Sequence, residues 1–256
     1  MIFYFSATGN SKYVARCLAE VGETLISIPD AIDRSIYKYN VADGEKVGII
    51  SPTYDWTVPS IVEEFIEKLV LVYSTRPYMY YVGTFGTTTG AASSMMKRYM
   101  AKRGYMFDAY YDVKMPDTWT PMYDLSDKEK VHEINRQADI RIQWVKNQIL
   151  QKATGKHMNF TTPYITGVIG KKIYDDKTRY TRNLSVTDSC VGCGLCAKKC
   201  PVHAIDIMEN RPVWTKERCT MCLGCLHRCP EFAIQYGKNT GKHGQYVHQG
   251  KPLKMK

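Results

Sequence analysis

The chain has 256 residues, 44% apolar and 23% charged, which suits one large or two modest globular domains and excludes a low-complexity, disordered chain. No apolar run approaches the ~20 residues that cross a bilayer as a helix, and the opening M-I-F-Y-F-S-A-T-G-N lacks the basic start and long apolar stretch of a secretory leader. The formal charge of +10 gathers in residues 151–183, where seven Lys or Arg face only Asp175 and Asp176, and in residues 237–256, where five Lys face no acid; with no nucleic-acid motif alongside, these runs read as solvated segments or as docking sites for an acidic partner.

Ile2–Phe5 is a short apolar run, expected as a buried strand. It enters the small polar loop Ser6–Ser11 (S-A-T-G-N-S), and then Val14, Cys17, Leu18 and Val21 follow at helical spacing. A strand feeding a small-residue loop that opens a helix makes an anion site, because free backbone N–H groups and the helix dipole point at one spot. Ser6, Thr8 and Ser11 offer hydroxyls, Asn10 an amide, and Gly9 a backbone without a Cβ. The loop is neither G-x-G-x-x-G nor a G-K-[ST] P-loop. Cys17, on the apolar stripe, reads as a small buried hydrophobe.

Residues 24–28 and 46–51 read as the second and third strands, the latter running into P-T-Y-D-W-T-V-P (Pro52–Pro59). Ile61, Val62, Phe65, Ile66 and Leu69 predict a helix over 60–69. Tyr78–Val82 is a fourth strand, followed by the Gly- and Thr-rich loop Gly83–Gly90 and a helix to about Lys102. Tyr105–Val113 reads as the fifth strand. Ser126 and Glu129 suggest a capping box for a helix whose stripe is Val131, Ile134, Ala138, Ile142, Val145 and Ile149. Strands alternating with helices predict an α/β fold with a doubly wound parallel sheet. Residues 154–183 read as a basic linker, 184–240 as a second domain, and 241–256 as a basic, mobile tail. A short strand is expected at 183–187 and a turn at 211–215, and no histidine shows metal-ligand spacing.

The second domain holds eight of the nine cysteines. C-V-G-C-G-L-C-A-K-K-C-P recurs as C-T-M-C-L-G-C-L-H-R-C-P, with each cysteine repeated 29 residues on. Each half is C-x2-C-x2-C-x3-C-P, the spacing of bacterial iron–sulfur proteins, in which the fourth cysteine reaches to the other cluster. Cys190, Cys193, Cys196 and Cys229 are therefore expected to hold one [4Fe–4S] cluster, and Cys200, Cys219, Cys222 and Cys225 the second. Zinc would want paired ligands instead of quadruplets ending in C-P, and disulfides would imply secretion. Cysteine use of this kind points to a reducing, cytoplasmic setting.

Residues 185–236 thus resemble a two-cluster bacterial-type ferredoxin, and Ser6–Ser11 resembles the phosphate loop of flavodoxins. Taken whole, the chain resembles flavodoxin–ferredoxin fusion proteins, on the phosphate loop, the P-T-Y loop, the G-T-F-G loop, the M-P after strand five, both cysteine motifs and the Y-G-K-N-T stretch. The resemblance implies a flavodoxin-like five-stranded sheet of order 2-1-3-4-5 over residues 1–153, with FMN at the switch point, and a small α+β ferredoxin domain. It implies FMN phosphate on Ser6, Thr8, Gly9, Asn10 and Ser11. The ring would lie between Pro52, Thr53, Tyr54 and Trp56 on one side and Thr84, Phe85 and Gly86 on the other, with Tyr54 or Trp56 stacking. Asp55, between them, reads as an exposed loop acid.

Three functions fit these motifs. The first is an electron carrier that passes electrons between two clusters and FMN and on to a partner reductase. The others are a flavin-dependent reductase of a small substrate, fed by its own clusters, and a flavin-free docking module for the ferredoxin domain.

Overall fold

The computed structural model describes residues 1–248 and 250. The chain runs β1 (Ile2–Tyr4), α1 (Asn10–Leu18), β2 (Leu25–Ser27), α2 (Ile28–Asp33), β3 (Lys38–Asn40), β4 (Lys46–Pro52), α3 (Ser60–Lys68), β5 (Val70–Val72), β6 (Tyr78–Phe85), α4 (Ala92–Lys102), β7 (Ala109–Lys114), α5 (Lys128–Leu150), β8 (Gly155–His157) and α6 (Tyr164–Ile173). A π-helical turn, Tyr174–Thr178, continues α6. Then come β9 (Leu184–Val186), α7 (Leu195–Lys198), β10 (Ile205–Met208), β11 (Arg211–Trp214), α8 (Gly224–Arg228), β12 (Ile234–Tyr236) and α9 (Thr240–His243).

The main sheet is parallel throughout, in the order β2-β1-β4-β6-β7-β8. Its first five members are the expected strands in the expected order; β8 adds a sixth. Strand residues alternate between two cores. Phe3, Val47, Ile49, Met79 and Tyr81 face α3 and α4, while Ile2, Ile50, Tyr80, Val82 and Tyr111 face α1 and α5. That period of two is what a parallel sheet buried on both faces requires. The small domain is two antiparallel pairs, β9 with β12 and β10 with β11.

Several expectations change. The stretch 154–183 is not a linker: the backbone of 155–157 pairs with the open edge of β7. The buried carboxylate of Asp112 receives Arg141 at 2.7 Å and the Asn159 N–H at 2.5 Å, pinning the following residues. The tail is docked as far as it is described, and α9 and Tyr246 pack back on the large domain; Gln249 and residues 251–256 lie outside the described residues. Residues 211–214 form a strand, not a turn, because Glu209 and Asn210 make a two-residue hairpin at φ 48° and 60°. Asp127, not Ser126, caps α5 by accepting the Lys130 N–H. Val21 is exposed because α1 ends at Leu18. Among the described residues, no helix is long and apolar enough to cross a membrane.

Candidate functional site

Three loops at the C-terminal edge of β1, β4 and β6 meet around one cavity of about 350 Å³. Ser6, Thr8, Asn10 and Ser11 line it from the first loop, Pro52, Thr53, Tyr54, Asp55 and Trp56 from the second, and Thr84, Phe85 and Gly86 from the third. Gly9 is the exception. It caps α1 at φ 101°, and its Cα faces His248 of the C-terminal segment, where a Cβ would sit 3.0 Å from the histidine's own Cβ. Some loop side chains are committed to structure. The Ser11 and Thr84 hydroxyls bond each other at 2.8 Å, tying the first loop to the third. The Asn10 amide donates to the Pro116 carbonyl and accepts from the Tyr246 hydroxyl. By contrast, Ser6 Oγ and Thr53 Oγ1 are buried with no partner among the described residues. A buried hydroxyl left unbonded is costly; Ser6, in the loop that opens α1, and Thr53, in the second loop, are hydroxyls that a phosphate and a polar ring edge would satisfy. The residues therefore fit FMN.

The second loop is a tight turn. Tyr54 and Thr57 exchange both backbone hydrogen bonds, which forces Asp55 and Trp56 to φ 43° and 63°. Side chains avoid that region at a cost of about 1–2 kcal/mol per residue, so something must hold the turn. Helix α6 does: a Cβ at Gly170 would overlap the Asp55 carbonyl oxygen. The same neglected stretch clamps the third loop, since Thr88 Oγ1 donates to the Phe160 carbonyl at 2.6 Å and Thr162 N–H to the Gly90 carbonyl at 2.9 Å. Asp55 is not the exposed loop acid expected, for its Oδ2 is buried with no partner among the described residues. Desolvation raises both Asp55 and Asp117 above the ordinary carboxylate range, opposed by Thr178 at Asp55 and by the Trp119 N–H and Thr87 hydroxyl at Asp117.

The cavity does not end at the large domain. Met221, Cys222 and Leu223 of the second cysteine loop also line it, with Tyr174 between. Tyr174 is fully buried; its hydroxyl donates to the Thr220 carbonyl at 2.7 Å, and its ring centroid lies 6.3 Å from that of Tyr54. Sequence reasoning missed Tyr174. Its signal was an aromatic four residues beyond Gly170, on the same helical face. The domains are stapled nearby: Arg228 Nε donates to the Ala7 carbonyl at 2.8 Å, and buried His227 donates from Nε2 to the Thr118 carbonyl at 2.8 Å while its Nδ1 accepts the Tyr246 N–H.

Both cysteine quartets assemble with the exchanged fourth member. Cys190, Cys193, Cys196 and Cys229 line one small cavity; Cys200, Cys219, Cys222 and Cys225 line another. Backbone N–H groups point at sulfur in the same way in each half, from Ala204 to Cys200 and from Ala233 to Cys229, both at 3.3 Å. Among the described residues, no three His, Cys, Asp or Glu converge tightly enough for a single metal ion. Burial pushes the Cys219 thiol up to about 11 and Cys222 to about 12, so ligation to iron is what would hold them as thiolates.

A flavodoxin domain family matches residues 1–141, and a 4Fe-4S dicluster domain family matches residues 183–230. Curated relatives match short stretches of the chain. A component of the ion-translocating oxidoreductase complex of Methanosarcina acetivorans is 41% identical over 46 residues, 18% of this chain and 17% of that protein. A ferredoxin-like protein in the nif region of Nostoc is 38% identical over 48 residues, 18% of this chain and 41% of that one. A ferredoxin of Pyrobaculum islandicum is 36% identical over 59 residues, 22% and 53%. The aligned stretch thus spans less than two thirds of each. A solved flavodoxin from Streptococcus pneumoniae aligns over 56% of this chain and 97% of its own at 15% identity, TM-score 0.30. The chain belongs to the flavodoxin family, and in it a flavodoxin domain is followed by a 4Fe-4S dicluster ferredoxin domain.

Proposed function

We propose that this chain is an electron carrier that holds FMN in the three-loop cavity and two [4Fe–4S] clusters in the cysteine quartets, and that it passes electrons among them and to a partner reductase in a reducing, cytoplasmic setting. One observation carries the reading: the wall of the loop cavity is completed by Cys222 and its neighbours, so the second quartet abuts the place a flavin would take. FMN there would hold one or two electrons, whereas each cluster passes one at a time. The chain's own residues supply the rest. Ser6, Thr8 and the N-terminus of α1 would take the phosphate, and Tyr54 and Trp56 would wall the ring. Tyr174 and Leu223 exclude water from the gap to Cys222, and Arg228 with His227 keeps the second loop seated. Holding both sites in one polypeptide keeps them at high effective concentration. The first quartet, with Cys193 exposed, would face outside partners.

A reductase acting on a small substrate is the second reading. It draws on Asp55 and Asp117, two partly buried carboxyl groups in the same cavity whose affinity for a proton is raised. Reconstitution tests the cofactor set. The carrier reading expects about eight iron, about eight sulfide and one FMN per chain. Protein that takes up both clusters yet releases no flavin on denaturation would contradict it and leave the docking-module reading.

A further inference from the structure

Helix α6 is apolar on the side it turns to solvent. Its inner side is Gly167 and Gly170, so close to the large domain that a Cβ at Gly167 would lie 2.6 Å from the Ala91 Cβ. On the outer side Ile165, Val168 and Ile169 are 59%, 41% and 51% exposed, with Phe160 at 65% just before the helix and Trp56 at 44% beside it. A surface helix ordinarily turns polar residues outward, and a contiguous apolar face marks an interaction site. Basic residues flank this one. Helix α4 packs alongside, with the Arg98 guanidinium 5.5 Å from the Tyr164 ring. It carries Lys97, Arg98 and Lys102 and no acid, whereas on α6 Lys171 is paired with Glu63 and Asp175 and Lys172 with Asp176, so the net positive charge of the rim is carried by α4.

Three occupants can be weighed. The chain's own C-terminal segment is described as far as Gly250, which lies beside Arg16 of α1, on the opposite face of the sheet from α4. A second copy would bring +10 against +10, and a ten-residue helix is roughly 15 Å long, too little to offer the ~800 Å² per partner of a stable interface. Small, transient interfaces are instead the mark of electron-transfer encounters, and opposite charge around the rim speeds them. We propose that the outer face of α6, with Phe160 and Trp56, is the docking surface for a redox protein presenting an apolar centre and an acidic rim. The proposal rests on the electron-carrier reading; because Trp56 also lines the loop cavity, a partner seated there reaches the edge of that cavity.

The test is binding of the fully loaded, oxidised protein to an acidic two-cluster ferredoxin, followed by calorimetry and by amide exchange. We expect protection over residues 160–173 and affinity that falls about tenfold between 20 and 300 mM salt. The double variant I165S/I169S should bind at least about tenfold more weakly. The variant R98A/K102A should bind about threefold more weakly with a flatter salt dependence, and V21S, on a distant exposed residue, should match the parent. Equal affinity in I165S/I169S, or protection confined elsewhere, would overturn the proposal. Self-association by sedimentation, or pelleting with anionic lipid vesicles, that I165S/I169S abolishes would overturn it equally, giving the face to a second copy or to a membrane. No electrons move in this measurement, so it stands apart from any failure of electron exchange inside the chain.

Discussion

The two cysteine loops share one spacing and live in different surroundings. In the first, Gly192 and Gly194 sit at φ 70° and 71°, Cys193 is exposed, and α7 buries no residue. In the second, the matching positions 29 residues on are Met221 and Leu223, at φ 46° and 52°. Left-handed backbone costs a side chain roughly 1–2 kcal/mol. Both side chains are almost fully buried, in the small domain's core and the cavity wall, and burying each is worth about 1.5–3 kcal/mol. Packing against the neighbouring domain therefore offsets the strain. Repeat symmetry set the ligands, and the broken symmetry marks which loop is welded to the flavodoxin domain. Hydrogen bonding and solvent exposure tune cluster potentials, so two quartets alike in sequence are placed for different work.

The comparison is broken most sharply by removing one ligand from each loop. Cys193→Ser and Cys222→Ser should each lose about four iron atoms. Only Cys222→Ser should also weaken FMN binding, by at least about tenfold, as read by flavin fluorescence, because ligation organises the loop that walls the cavity. Equal flavin affinity in the two variants would mean that the wall is indifferent to its cluster.

Exchanging residues between the loops comes next. Leu223→Gly relieves strain but gives up a buried leucine, and should destabilise the loaded protein by about 1–3 kcal/mol in denaturant titrations. Gly194→Leu adds strain with little to bury and should cost about 1 kcal/mol. Tyr174→Phe deletes one hydroxyl and keeps the ring. Losing its bond to Thr220 should cost about 1 kcal/mol and speed amide exchange over residues 219–223 about fivefold, leaving residues 190–196 as they were.

These contrasts divide what was legible in the sequence from what was not. Apolar periodicity exposed β1, β2, β4, β6 and β7 and the loops at 6–11 and 52–56, and the repeated iron–sulfur spacing exposed the exchanged fourth cysteines, because those features rest on local pattern, whereas the short strands β3 and β5 went unread. Residues 154–183 hid their role. Helix α6 approaches its neighbours through Gly167 and Gly170, which lower helix propensity, and its outward isoleucines erase the amphipathic stripe that announces a surface helix. The segment at 241–248 hid for another reason: it docks through single polar contacts. Gln245 donates to the Leu226 and Cys229 carbonyls, and His248 N–H donates to the Thr8 carbonyl. Such contacts have no period to read.

The smallest expected effect concerns that segment. His248 stacks on Tyr13 at 3.9 Å between centroids, and its burial depresses its affinity for a proton, with Asp139 opposing. The unfolded chain then binds more protons than the folded one just below the ordinary histidine range near 6.5. Stability should therefore decline modestly as pH falls through that window, and less so in His248→Phe. A proton NMR titration placing this ring at or above 6.5 would contradict the burial argument.

The claim that the second quartet and the flavin share electrons is tested most directly by stepwise anaerobic reduction, with both chromophores followed by absorbance. The account predicts that electrons added to the clusters bleach the flavin within the same titration, and that Cys222→Ser uncouples the two. Clusters that fill completely while the bound flavin stays oxidised, with a potential high enough to accept, would contradict it.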